Sequence, residues 1–354
     1  MDINNSPTKT NQGNTPRWSE MKFEQILQEY ANKRILVTGG AGCIGSNLVR
    51  VLLSANPEQI IVIDDLSSSF EWNLPKDPKL LFVQGSILDK EKMERAFGFK
   101  PHYVFHLAAH FANQNSIDNP ETDLMVNGLG TIKTLEYSHL ASVERFIFAS
   151  SGCSVYGNQA PLPLKEDFIS LHLDTPYQIN KLLGELYCNF FYNYYELPVV
   201  IARYFNVYGP GEVPGRYRNV IPNFFWWAMH GQSLPITGTG EETRDFTFVD
   251  DIIEGTLRMG IEKGALGEAI NLASETETKI IELAHRVNKI TKNESGINKK
   301  PRRDWDKISR RRASKEKASK ILGFAPKTDI DTGLKETYEW LLENKDRITS
   351  VVQF

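Results

Sequence analysis

Residues 34–49 read RILVTGGAGCIGSNLV, and this stretch decides the fold. Ile35, Leu36, Val37 and Thr38 form a run without polar alternation, the mark of a strand buried on both faces. Gly39, Gly42 and Gly45 then close a tight turn, and the following SNLVRVLLS carries its apolar residues at helical spacing. Glycines at such a junction let the backbone approach a diphosphate, whose charge falls at the positive end of the helix dipole. A strand, a glycine-rich turn and a helix in this order open a dinucleotide-binding unit.

Outward from that unit, apolar runs recur with helical stretches between them: QIIVIDD (59–65), KLLFVQG (79–85), YVFHLAA (103–109), RFIFASS (145–151) and PVVIARY (198–204). Buried strands alternating with helices imply a parallel sheet joined by right-handed crossovers, so the expected class is α/β, doubly wound and Rossmann-like. Phe23, Ile26, Leu27 and Tyr30 predict a short leading helix within 19–33, and the polar residues 1–18 read as a flexible tail. After about residue 210 the alternation becomes irregular and the basic run KKPRRDWDKISRRR (299–312) appears. A dinucleotide domain over 19–210 and a smaller substrate domain, mainly 211–354, are therefore expected; 354 residues exceed the roughly 250–300 at which single cores stop growing.

A formal net charge of -3 provides no global basic field, which argues against a nucleic-acid partner. Asp304, Asp306 and Glu316 break up the basic stretch from Lys299 to Lys320, whose remaining charges read as a solvated face. Three cysteines (Cys43, Cys153, Cys188) form neither a disulfide framework nor a metal set, so a cytoplasmic protein without a metal site is expected. The polar start is unlike a signal peptide, and no run of 18 apolar residues suggests a membrane span.

Asp64 and Asp65 end the second strand nineteen and twenty residues past Gly45, where a carboxylate accepts hydrogen bonds from a ribose diol and repels a 2′-phosphate. NAD is thus favoured over NADP. Tyr177 and Lys181, four apart in TPYQINKLLGELY, share one helix face. A phenol with an ordinary pKa near 10 is a poor base at neutral pH, but a neighbouring ammonium favours its anion. Ser150, Ser151, Cys153 and Ser154 lie at a strand end, where open α/β sheets bind ligands.

With these motifs in view, residues 34–345 resemble the extended short-chain dehydrogenases/reductases, in particular the NAD-dependent sugar-nucleotide epimerase/dehydratase group. TGGAGCIG, DDLSSS, HLAA, VNGLGTIKTLE and YQINK are similar to its successive motifs. The resemblance implies NAD contacts from Gly39, Gly42, Cys43, Ile44, Gly45, Asp64, Asp65, Ser86, Ile87, Leu107, Ala108, Ala109, Asn127 and Lys181. RYFNVYGPG and GTGEETRDFTFVDD resemble the substrate half, which implies that Asn206 and Arg244 meet the nucleotide diphosphate. Arg303 resembles a further diphosphate arginine, although Asp304 and Trp305 stand where the family usually has Pro-Gly.

Two departures bear on the chemistry. Counting from Phe148 makes Ser151 the catalytic hydroxyl, with one residue inserted before Val155; Cys153 and Ser154 remain auxiliaries. Ser86 replaces an aspartate that commonly meets adenine in relatives. The family's shared first step implies a 4-keto sugar, with Tyr177, Lys181 and Ser151 catalytic. Dehydratases place Asp-Glu after the hydroxyl residue, and decarboxylases a glutamate before Val-Tyr-Gly; here stand Gly152, Cys153 and Ser154. The resemblance therefore favours a UDP-sugar 4-epimerase. A 3,5-epimerase using Cys153, a 4,6-dehydratase, a decarboxylase and a non-catalytic NAD-binding scaffold are the alternatives. The apolar helices TDLMVNGLGTIKTLEYSHL and TPYQINKLLGELYCNFFYNYY predict a homodimer through a four-helix bundle.

Overall fold

Strand β1 (Arg34–Thr38) has Ile35, Leu36 and Val37 fully buried, and a computed structural model of residues 21–152 and 154–354 shows what covers them. Its neighbours are β2 (Gln59–Asp64) and β3 (Leu80–Gln84) on one side, and β4 (Tyr103–His106), β5 (Arg145–Ser151) and β6 (Val199–Tyr204) on the other. A seventh strand, β7 (Ala269–Leu272), completes the order β7-β6-β5-β4-β1-β2-β3, parallel throughout. Each fully buried Ile, Leu or Val contributes about 1.5–3 kcal/mol of transfer free energy, so apolar runs covered on both faces hold the sheet.

The order reverses beside β1: the chain leaves it for β2 on one side and later returns to β4 on the other. Connections depart in opposite directions there, opening a crevice at the carboxyl ends of the strands. Helix α1 (Phe23–Gln28) is shorter than the 19–33 stretch suggested, and residues 1–18, expected as a tail, lie outside the described residues. Tyr30, just past α1, is fully buried and donates to the Leu257 carbonyl at 2.6 Å.

Helix α2 (Cys43–Ser54) follows the glycine turn, and α3 (Lys90–Phe97) is capped by Asp89, which accepts from the Glu91 and Lys92 amides. A π-helical turn, Leu124–Leu129, leads into α4 (Gly130–Leu140), and α5 is Pro176–Tyr195. Strand β7 comes from beyond residue 210, as does α6 (Val249–Ile261) with its buried Ile252, Ile253 and Leu257. The chain beyond 210 therefore supplies part of the sheet layer as well as the short strand pairs around Leu234–Thr237, Thr243–Asp245 and Ile297–Lys300. Among the described residues no helix is long and apolar enough to cross a membrane.

Candidate functional site

A cavity of about 510 Å³ fills the crevice. At its floor Gly39 has φ +70°, and a Cβ at Gly45 would lie 2.4 Å from the Gly39 oxygen, so the turn closes only without side chains there. This brings Gly42 and the first residues of α2 to the cavity wall, with the amides of a twelve-residue helix at hand for an anion. Asp64, 8% exposed, accepts from the Ala41 amide at 3.0 Å, the Leu66 amide at 2.9 Å and the Ser69 hydroxyl at 2.7 Å. It thus ties the glycine turn to the end of β2 as well as facing the cavity. Asp65 is exposed and accepts from the Ser67 amide at 2.9 Å.

Cys43, Ile44, Ser86, Ile87, Leu107, Ala108 and Ala109 line the same cavity. A glycine turn at a helix start, with two carboxylates at the next strand end, fits a dinucleotide with an unphosphorylated adenosine ribose. Asn127 is not in the wall. It is buried in the π-helical turn, where its Oδ1 accepts from the His110 amide and its Nδ2 donates to the His110 carbonyl, both at 3.0 Å. Its part is to hold the backbone after β4.

At the other end of the cavity, α5 begins at Thr175, which accepts from the Gln178 amide, with Pro176 in the first turn. Tyr177 and Lys181 follow on one face, and both line the cavity with Ser151. The Lys181 ammonium, 4% exposed, donates to the Ala149 carbonyl at 2.9 Å and lies 5.7 Å from the centre of the Tyr177 ring. Burial lowers the Lys181 pKa from its ordinary value to about 8, opposed first by the charge of Asp123. Asp123 is itself fully buried, accepting from Asn180 at 2.7 Å and Asn127 at 2.9 Å, with the His110 ring nitrogen at 3.4 Å.

The strand end distinguishes its serines. Ser150 donates to Glu185 at 2.5 Å, and Glu185 is held in a buried ion pair with Arg203. Both serines line the cavity, as Tyr177 does, but the hydroxyl of Ser150 is committed to Glu185, whereas Ser151 is half-buried at the last position of β5. A Cβ at Gly152 would lie 1.9 Å from the Phe205 ring, so no side chain fits there as packed. Ser154 is 1% exposed, away from the cavity, and its hydroxyl has no partner among the described residues. Cys153 lies outside the described residues.

Of the expected substrate contacts, Asn206 lines the cavity and donates to the Asp245 carbonyl at 3.1 Å. Arg244 does not: it pairs with both Asp306 oxygens, at 3.0 and 3.2 Å, and donates to the Thr243 carbonyl. Arg303 lies over the Trp305 ring at 5.7 Å, outside the wall. Glu212, Arg218 and Asn219 line the cavity and were not anticipated, because they sit in the aperiodic Gly/Pro loop GPGEVPGRYRN. Asp123 carries a signal in the sequence: it stands four residues before Asn127, one helical turn.

A model described as the NAD dependent epimerase/dehydratase family matches residues 35–273. The chain belongs to this family. A UDP-glucose 4-epimerase of Mycolicibacterium smegmatis is 34% identical over 87% of this chain and 98% of its own. The solved epimerase Mth375 of Methanothermobacter thermautotrophicus is 54% identical, covering 94% of this chain and 98% of its own with a TM-score of 0.93. The Bordetella bronchiseptica enzyme WbmF, solved in complex with NAD+, is 36% identical over 91% of this chain and 96% of its own, with a TM-score of 0.80. A Bacillus cytotoxicus UDP-N-acetyl-alpha-D-glucosaminuronate decarboxylase is 34% identical over 88% of this chain and 98% of its own. A human dTDP-D-glucose 4,6-dehydratase is 30% identical over 88% of this chain and 91% of its own. This member is accordingly an enzyme whose cofactor is NAD, and the residues around the crevice fit that cofactor.

Proposed function

We propose that the chain is a UDP-sugar 4-epimerase. The observation that supports this is that Ser151, Tyr177 and Lys181 all line one cavity, next to a residue, Gly152, that has no room for a carboxylate. NAD, when bound, accepts the hydride from carbon 4 of the sugar and returns it.

Tyr177 takes the proton from the carbon-4 hydroxyl and gives it back on the return step, the general acid/base part of the reaction. Lys181, cationic below about pH 8, favours the phenolate by its charge and is fixed by the Ala149 carbonyl. Ser151 hydrogen-bonds the reacting oxygen and aligns it with the phenol. Asn206, with Arg244 and Arg303, takes the diphosphate of the sugar nucleotide; for Arg244 this means exchanging the Asp306 carboxylate for phosphate oxygens. Without carboxylates after Ser151 to remove the carbon-5 proton, the keto sugar turns in the site and receives hydride on its other face.

The same protein is proposed as a homodimer. Leu186, Phe190 and Tyr194 recur every four residues along α5 and are 54%, 46% and 71% exposed, with Leu124 and Met125 of the π-helical turn also uncovered. That stripe suits a second copy packed as a four-helix bundle.

The test is incubation of purified protein with UDP-, GDP-, CDP- and dTDP-sugars, with products read by NMR. A 4-epimer of a UDP-sugar is expected. A 4-keto-6-deoxy product or a pentose would replace the reading with dehydration or decarboxylation.

A further inference from the structure

The glycine motif is not the whole of the wall around the crevice floor. Beyond β6 the chain crosses to α2, where Asn47 donates to the Pro210 carbonyl at 2.8 Å and Asn73 to the Gly211 carbonyl at 3.1 Å. The loop thus held places Glu212 and Arg218 in the same wall as Gly42 and Cys43.

Neither side chain is fully satisfied among the described residues. The Arg218 guanidinium makes no hydrogen bond or ion pair with a described residue, although burial depresses its pKa. Glu212 is 5% exposed; its Oε1 accepts from the Asn219 amide and side chain at 3.3 and 2.9 Å, while its buried Oε2 has no partner. Leaving the buried Glu212 Oε2 unpaired costs free energy, and the half-buried Arg218 guanidinium has no partner among the described residues, so the pair beside a helix start describes a place completed by a ligand.

We propose that Arg218 and Glu212 form the second half of the seat for the NAD diphosphate, Arg218 pairing with its oxygens and Glu212, protonated, donating a hydrogen bond to one of them. The contacts come from a loop outside the nucleotide-binding motif, and the proposal holds whatever the enzyme does to its sugar.

Burial raises the Glu212 pKa to about 7, so its proton is available near neutrality. The charged and titratable groups that face it are Arg218 on its own loop and Cys43 on α2; Arg50 of α2 and Asp250 at the start of α6 in turn face Cys43, and Asp64 at the end of β2 faces Arg218. Burial also holds the Cys43 thiol well above its ordinary range, so it stays neutral here. An anion bound against Glu212 favours the protonated form; NAD affinity therefore falls as pH rises through about 7.

The experiment uses the NAD-loaded enzyme, challenged with ADP or with adenosine, and measures the NAD expelled. Arg218→Gln should reduce the adenosine-to-ADP ratio of half-effective concentrations about 10- to 100-fold, the scale of a lost charge-assisted hydrogen bond. Arg218→Lys, which keeps the charge but not the fork, should recover part of it and controls for folding. Between pH 6 and 8, wild-type NAD affinity should fall while that of Glu212→Gln stays flatter; Lys181 titrates in both and cancels in the comparison. An unchanged ratio in Arg218→Gln overturns the proposal, and if the KM for the sugar nucleotide rises instead, Arg218 serves the substrate's diphosphate. Parallel pH profiles for wild type and Glu212→Gln overturn the part given to Glu212.

Discussion

Lys181 is bound to Ala149: its ammonium donates to that carbonyl at 2.9 Å, across the boundary between α5 and β5. Ala149 lies two residues before Ser151, and Lys181 one helical turn after Tyr177. One hydrogen bond therefore sets the helix that carries the phenol against the strand that carries the hydroxyl.

If Tyr177 moves the proton, Tyr177→Phe keeps the ring against Phe111 and removes only the oxygen. The rate should fall about 10²- to 10⁴-fold, the usual cost of losing a general acid/base, with an unchanged circular dichroism spectrum. Ser151→Ala should be slower than wild type but faster than Tyr177→Phe, and Cys153→Ala mild. Steady-state kinetics of the three variants decide the order; an indispensable Cys153 beside a dispensable Ser151 would move the chemistry to the thiol.

Lys181 also leaves a mark on stability. Its folded pKa of about 8 lies below the ordinary 10.5, so between these values the unfolded chain binds more protons and stability rises with pH. Below about 8 the burial penalty is present in full. The urea midpoint of wild type relative to that of Lys181→Met should rise from pH 7 to 10; parallel curves would contradict the assignment. The activity of Lys181→Met should be low at neutral pH and recover in part at high pH, where the phenol ionises without help.

Asp64 holds the Ala41 and Leu66 amides and the Ser69 hydroxyl, so Asp64→Ala should loosen the glycine turn as well as remove a ribose contact. NAD binding should weaken more than nucleotide-sugar binding, and calorimetric titration of each ligand checks this. Because hydride leaves and returns within one cycle, added NAD should not accumulate as NADH during turnover; stoichiometric NADH would indicate a dehydrogenase.

What the sequence made legible followed physical regularity. All six apolar runs became strands, since burial on both faces leaves periodicity no room for polar residues, and Tyr177 and Lys181 met because helical spacing is geometry. The seventh strand, Ala269–Leu272, was missed because four residues inside an irregular stretch carry too little pattern. Glu212 and Arg218 were missed for a similar reason: a Gly/Pro loop has no period, and only tertiary packing brings it to α2. The difference between Ser150 and Ser151 depended on Glu185, thirty-five residues away from Ser150, which no local reading supplies.

The stripe on α5 predicts a particle of about 80 kDa, twice the chain's 40.2 kDa, in light scattering at micromolar concentration. Phe190→Glu together with Leu186→Glu should give monomers, because two desolvated carboxylates oppose the apolar contact. A wild-type monomer under these conditions would contradict the assembly.

The central claim is that hydride leaves carbon 4 and returns to carbon 4, with protons exchanged only at oxygen by Tyr177. Turnover of the UDP-sugar in deuterated water, followed by NMR and mass spectrometry of the product, tests it most directly. The account predicts the 4-epimer with every carbon-bound hydrogen retained; deuterium at carbon 3, 5 or 6 would mean carbon acid/base chemistry and would contradict it.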